Sequence, residues 1–384
     1  MRAAQTVTYQ LPSVSLTALG ASGQTTVPLS DLPKAWNGRV AHLMKLHFRT
    51  TYTPTTTALP DVVGNNNVFK SCDIWDGSFA RFVGGFNDLR TFDRMHHGAI
   101  AIPDADTDTA SGTARYFHRV WHPGPPNFAG APQDFAIPTG MLSNGEVRIT
   151  TGALTDLAAD CTAYTGTVVV VAELLLADEV RIPPAYQVLS QNVSGSDISI
   201  QGRALYEFLA LYDSATKGAW SAGDLGAITV EAGQGNIVNA TAPEMLSSIF
   251  QAAWGRGEVG VFKGQPAAAS DDNGKQVNHA SPLALVASVN DLQPVLFTGP
   301  EHRISKLFLA ESSLHLSWAS ASQSTAVAIF GRILPQPQSV MNANVGKALA
   351  KLEGRRPTGG GIKTLSKQPY KGPYGEFMPW TVKV

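Results

Sequence analysis

The stretch RYFHRVWHPGPP (115–126) sets His118 and His122 four positions apart, shortly after the adjacent pair His96–His97, so four of the nine histidines fall in one 27-residue window. Such a density raises metal chemistry first. A cupin-like centre takes two histidines two apart on one strand, then a carboxylate and a third histidine. On a strand, residues four apart share a face but lie roughly 13 Å from one another, too far to share a metal with ligands at about 2.0–2.1 Å. A helix would bring them together, as in His-Glu-x-x-His. Here the Glu is missing, and the aromatic, β-branched context with Pro123 argues against a helix. His96 and His97 would point to opposite faces of a strand. The expectation is therefore no metal centre and no cofactor, with these histidines at strand edges and interfaces.

Other chemistry is as weakly marked. Asp104, Asp106 and Asp108 begin like a calcium loop, but Thr109 and Arg115 stand where the Gly and Glu of such a loop belong. The reading is a solvated loop. There is no G-x-S-x-G elbow, no phosphate-binding G-x-x-x-x-G-K-[ST], and no Cys with a nearby His pattern. The expectation is a protein that is not an enzyme.

Charged residues make up only 15% of the 384 residues and hydrophobic ones 43%. A surface poor in charge suggests cover by partner subunits. The net charge of −1 provides no field for sequence-specific nucleic-acid binding. Two cysteines, Cys72 and Cys161, exclude a disulfide scaffold. The opening MRAAQTVTYQLPSVSL lacks the apolar core of a signal peptide, so the expected protein is soluble, made in a cytoplasm and not secreted.

Gly (36), Pro (24) and many Thr, Ser and Val favour short strands joined by turns. GRVAHLMKLHFRTTYTP (38–54) alternates with period two, with Val40, His42, Met44, Leu46 and Phe48 on one parity. Further strands are predicted at 65–77, 113–121, 145–154 and 164–180. The last, GTVVVVAELLLADEV, is continuously apolar, as expected of a strand buried on both faces or lying at a subunit contact. RIPPAYQVLSQNVSGSD (181–197) reads as an extended linker. The plan then restarts: GRALYEFLALYDS (202–214) echoes GRVAHLMKLHF, LGAITVEAG (225–233) follows, and RISKLFLAESSLHLSWASASQSTAVAIFGRILP (303–335) closes the second half as the first closes. This order implies a duplicated all-β architecture.

One helix stands out at 241–257, with Thr241 as N-cap, Glu244 at N3, and an apolar stripe of Met245, Leu246, Ile249, Phe250 and Ala253. The last segment is basic, aromatic and rich in Gly and Pro. Lys347, Lys351, Arg355, Arg356, Lys363, Lys367, Lys371 and Trp380 mark it as an arm that contacts a membrane, a neighbouring subunit or nucleic acid, the alternative being an extended strand wrapped on its own barrel.

Two successive β units of about eight strands, each closing on a long apolar strand, resemble the double jelly-roll major capsid proteins of tectivirus-like phages (the PRD1–adenovirus lineage). The likeness covers roughly residues 38–335 and rests on the order of patterns. It implies two consecutive eight-stranded jelly-roll barrels with one or two short helices. The division would be an N-terminal arm 1–37, a first jelly roll 38–185, a second 186–340 and a basic C-terminal arm 341–384. It also implies a homotrimer, a pseudo-hexagonal capsomer of an icosahedral virion. Neighbouring capsomers, penton or minor capsid proteins and an internal lipid membrane would be the partners. One departure is that such arms are often N-terminal helices, whereas here the N-terminus looks strand-like and the basic arm is C-terminal. Two other classes stay open: a carbohydrate- or receptor-binding β-sandwich using Trp75, Trp121 and Trp220, and a two-barrel metalloenzyme.

Overall fold

The computed structural model describes residues 5–17, 24–56, 69–86, 88–89, 115–125, 134–213, 225–233, 235–254, 293–297, 308–320, 325–335 and 380–382. The first half holds β1 (Gln5–Gln10), β2 (Val14–Thr17), β3 (Gln24–Pro28), β4 (Ala35–Trp36), β5 (Arg39–Thr55), β6 (Phe69–Trp75), β7 (Ala80–Val83), β8 (Arg115–Trp121), β9 (Ile137–Pro138), β10 (Glu146–Thr151), the one-turn helix α1 (Leu154–Leu157) and β11 (Ala163–Ala177). The chain continues through β12 (Val180–Ile182), β13 (Ala185–Ser194), β14 (Asp197–Gln201), β15 (Ala204–Asp213), β16 (Leu225–Glu231), β17 (Asn236–Thr241), the helix α2 (Pro243–Trp254), β18 (Gln293–Phe297), β19 (Phe308–Ala310), β20 (Ser313–Ser320), β21 (Thr325–Leu334) and β22 (Trp380–Val382).

β5 organises the first barrel. Asn37 and Gly38, with φ of 51° and 77°, form the tight Asn-Gly turn that folds β4 onto its start, with Trp36 opposite Arg39. β5 then pairs with β11 from Val40 opposite Ala177 to Thr55 opposite Ala163. The register shifts between Glu173 and Leu174, leaving Met44 as an extra residue. One extra residue flips the inward parity. Ala41 and Leu43 enter the core before the bulge, and Leu46, Phe48 and Tyr52 after it. The single face drawn through His42, Met44, Leu46 and Phe48 is thus divided at the bulge.

A seven-stranded sheet gathers β1, β2, β4, β5, β8, β9 and β11. β1 and β2 pair with β11, and β3 pairs with β10, so the described part of segment 1–37 is hydrogen-bonded into sheets of the first barrel. A nine-stranded sheet runs β18–β15–β21–β13–β7–β6–β10–β3, with β19 added on β15. Its crossing point is the parallel pair β13–β7, where Val188 faces Phe82. The second barrel closes with a four-stranded sheet, β14–β20–β16–β17.

This sheet order corrects two expectations. The segment 181–197 is not a linker: β13 pairs with β21 along its whole length, Ala185 opposite Leu334 to Ser194 opposite Thr325. Burial on both faces belongs to β21 rather than β11. Ala326, Ala328 and Phe330 enter the second core, whereas Val327, Ile329 and Ile333 enter the first. β15 divides likewise, with Leu205, Phe208 and Ala210 in the first core and Tyr206, Leu209 and Leu211 in the second. β11 buries Val168, Val170, Ala172, Leu174 and Leu176, while Val169, Val171 and Glu173 on its other face are half-buried.

The helix also departs from its reading. It begins at Pro243, and the backbone N–H groups of Met245 and Leu246 donate to the carbonyl of Ala242. Thr241 ends β17 and its hydroxyl donates to the Asn239 carbonyl at 3.3 Å, so Thr241 does not cap. Leu246 is buried, but Met245 and Ile249 are each 57% exposed. The apolar stripe is only partly covered within the described chain. No helix among the described residues is long and apolar enough to cross a membrane.

Candidate functional site

The histidine question resolves across strands. His118 on β8 and His122 beyond it do not converge: His118 is half-buried on the outward face, and His122 is 4% exposed. His118 instead meets His47 of β5, with Nε2 3.1 Å from His47 Nδ1. His47 Nε2 lies 2.8 Å from Glu173 Oε1 on β11, and Lys45 Nζ is 3.6 Å from Glu173 Oε2. A polar row thus crosses three neighbouring strands on the outer face of the first barrel. Sequence reasoning missed it because the partners lie 71 and 126 positions away. The one signal present was the polar parity Lys45, His47, Arg49.

The second barrel carries a looser counterpart. His315 on β20 stands between Asp197 of β14, at 3.6 Å, and Glu231 of β16, at 3.8 Å. Among the described residues no group of three or more His, Cys, Asp or Glu side chains could hold a metal ion. His96, His97, Asp104, Asp106 and Asp108 lie outside the described residues. Cys72 and Cys161 are free and buried. Burial pushes both thiols up, away from the reactive thiolate.

The junction between the barrels is polar although buried. Arg81 Nε donates to Asp76 Oδ2 at 2.7 Å, with both side chains under 10% exposed. Asp76 Oδ1 accepts the backbone N–H groups of Ser78 (2.8 Å) and Phe79 (3.1 Å), fixing the turn between β6 and β7. Arg81 Nη1 reaches the Pro184 carbonyl at 3.3 Å, just before β13. Gln187 donates to the Ala80 carbonyl at 2.8 Å and accepts from Arg332 Nε at 3.3 Å. Arg332 Nη1 continues to the Gln201 carbonyl at 2.9 Å. These groups satisfy one another, as buried polar groups must, and tie β7, β13, β14 and β21 into one unit.

Of the predicted arm, Lys347, Lys351, Arg355, Arg356, Lys363, Lys367 and Lys371 lie outside the described residues. Trp380 opens β22, whose backbone pairs antiparallel with β12, Trp380 opposite Ile182. The arm's last stretch therefore pairs with β12 of its own chain. The two described tryptophans of the carbohydrate-binding alternative, Trp75 and Trp121, do not share a sheet. Trp121 is 1% exposed within the first core, Trp75 lies on the other sheet beneath Arg148, 4.8 Å from its guanidinium, and Trp220 lies outside the described residues.

No family profile and no curated protein matches the sequence. Solved structures do match in fold. The major capsid protein of Sulfolobus turreted icosahedral virus is 13% identical, with a TM-score of 0.51 over 86% of this chain and 97% of that one. The capsid protein VP54 of PBCV-1, fitted into a reconstruction of the virophage Sputnik, is 10% identical, with a TM-score of 0.53 over 87% and 96%. A quasi-atomic structure of the PBCV-1 capsid gives 10% identity and a TM-score of 0.52 over the same shares. The chain has the all-β double jelly-roll fold of these proteins.

Proposed function

We propose that this chain is the major building block of a viral shell, self-associating as a homotrimer in which six barrels form a pseudo-hexagonal capsomer. The observation that carries the reading is the two-barrel likeness to viral capsid proteins along nearly their whole length. Physics supports it. The shared sheet and the hydrogen-bonded junction make two barrels one stiff block, and a shell needs stiff blocks more than it needs a cleft. The half-buried Val169 and Val171 on the outer face of β11 and the low charge content leave outer surface suited to cover by other copies. In this reading residues 38–185 and 186–340 are the two barrels, with 1–37 attached to the first. The function is mechanical and non-enzymatic, and the protein resides in the virion.

Neighbouring capsomers, penton or minor capsid proteins and an internal lipid membrane are the proposed partners. The basic stretch Lys347 to Lys371 would face the membrane or the next subunit. The test is electron microscopy of the purified full chain at high concentration, with and without anionic lipid vesicles. Three-fold rings or closed particles are expected. A protein that stays dispersed as single chains under every condition would refute the reading.

A further inference from the structure

His47 and His118 face one another with ring planes 11° apart and centroids 5.2 Å apart. Their facing nitrogens are only 3.1 Å apart, much less than the centroids, so the rings meet end to end rather than face over face. Such a contact holds one proton between two nitrogens, one ring donating N–H and the other offering a lone pair. Glu173 decides which. Its carboxylate accepts Nε2–H of His47 at 2.8 Å, which leaves the lone pair of neutral His47 on Nδ1 and makes His118 Nε2–H the donor.

One added proton keeps the contact. His47 becomes an imidazolium donating through Nδ1, His118 shifts its proton to the other nitrogen and accepts, and Glu173 is the counter-ion. A second proton puts two N–H groups and two positive charges against each other at the same place. The neighbours sharpen this limit. Lys45 is 3.6 Å from Glu173, and Arg49 stands opposite His118 in the register; both oppose a second charge. Val120 and Val171 oppose His47, β1 brings only Thr8 opposite Glu173, and Arg119 of β8 turns inward over Phe86. Glu173 is the acid at hydrogen-bond distance from the pair.

We propose that His47 and His118 form an acid-released clasp that holds β8 on β5 with one proton between the rings and frees it when both rings are protonated. The clasp acts within one chain, so it does not depend on the shell reading.

The test is hydrogen exchange of the full chain, followed in the peptide 115–125 at pH 8 and pH 5, the span in which histidine changes charge. Rates are normalised to the same peptide in denatured protein, and β13 and β21, which carry no His, Asp or Glu, serve as internal controls. In the wild type, opening of 115–125 is expected to rise about fivefold or more at pH 5 relative to the controls. His118→Gln keeps the contact at either pH, because its amide can donate or accept, and should remove the rise. Glu173→Gln deletes the counter-ion and should shift opening to higher pH, which keeps the test open if His118→Gln folds poorly. Equal protection of the wild-type peptide at both pH values would overturn the clasp. So would a rise in His118→Gln matching the wild type, or a Glu173→Gln profile that does not move.

Discussion

Tyr186 of β13 donates its hydroxyl to Glu207 Oε2 of β15 at 2.5 Å, and both residues are at least 97% buried. Glu207 sits where the β15 register slips between Tyr206 and Phe208, so a local irregularity aims a carboxyl group at the junction. Burial, and then the neighbouring carboxylate, push the phenol well above its ordinary range, which keeps it a donor. Tyr186→Phe removes the donor while keeping the ring. It is expected to destabilise the chain by about 1–3 kcal/mol, the cost of leaving a buried polar group short of a partner. Urea unfolding of the two proteins measures this, and equal midpoints would show that the bond adds nothing.

Gly331 lies beside the same pair. A Cβ there would overlap the Phe208 ring and approach the Tyr186 hydroxyl oxygen to 2.7 Å. Gly331→Ala therefore overpacks the sheet shared by both cores, with an expected cost of about 1–3 kcal/mol. A thermal midpoint unchanged from the wild type would contradict the close approach.

Asp76 and Arg81 bind the β6–β7 turn to the second barrel. Asp76→Ala leaves the Arg81 guanidinium, 4% exposed, without its carboxylate. Removing one member of a buried pair costs about 3–5 kcal/mol. The variant should unfold at clearly lower denaturant than Asp76→Asn, which retains an acceptor for the two backbone N–H groups. Equal midpoints for the two would assign the effect to the lost charge pair alone.

Asp73 predicts a pH dependence of a particular sign. Burial raises its carboxyl group above the usual value, and a backbone bond from Gly84 and the charge of Arg148 only partly offset this. A raised value means that the folded chain holds the proton more tightly than the unfolded one. The associated stability is present below the unfolded value, about 3.9, and is lost as pH rises through the folded one. Asp73→Asn should thus gain stability at pH 7 and gain none at pH 3. Denaturant midpoints at both pH values test this, and a loss at pH 7 would mean that the Arg148 attraction outweighs burial.

Long alternating or apolar runs were legible in the sequence. β5 starts one residue from its expected position because its alternation survives in a single strand, and β15 starts two residues from its own because its run is apolar on both faces. The misreadings share a cause, since they arose where a neighbour sets the pattern. β13 looked like a linker because Pro183–Pro184 and Gly195 bracket a polar run, yet Gln187 finds Ala80 and Arg332 across the junction. The bulge at Met44 shows only in the register with β11. The His47–His118–Glu173 row was hidden because each member belongs to a different strand. Duplication was legible because it repeats an order of patterns rather than a contact.

The most direct measurement is the mass of the purified full chain in solution by light scattering. The account predicts a particle of three times 40.7 kDa, stable on dilution through the micromolar range. A mass of one chain at every concentration, unchanged under conditions that drive particle assembly, would contradict it.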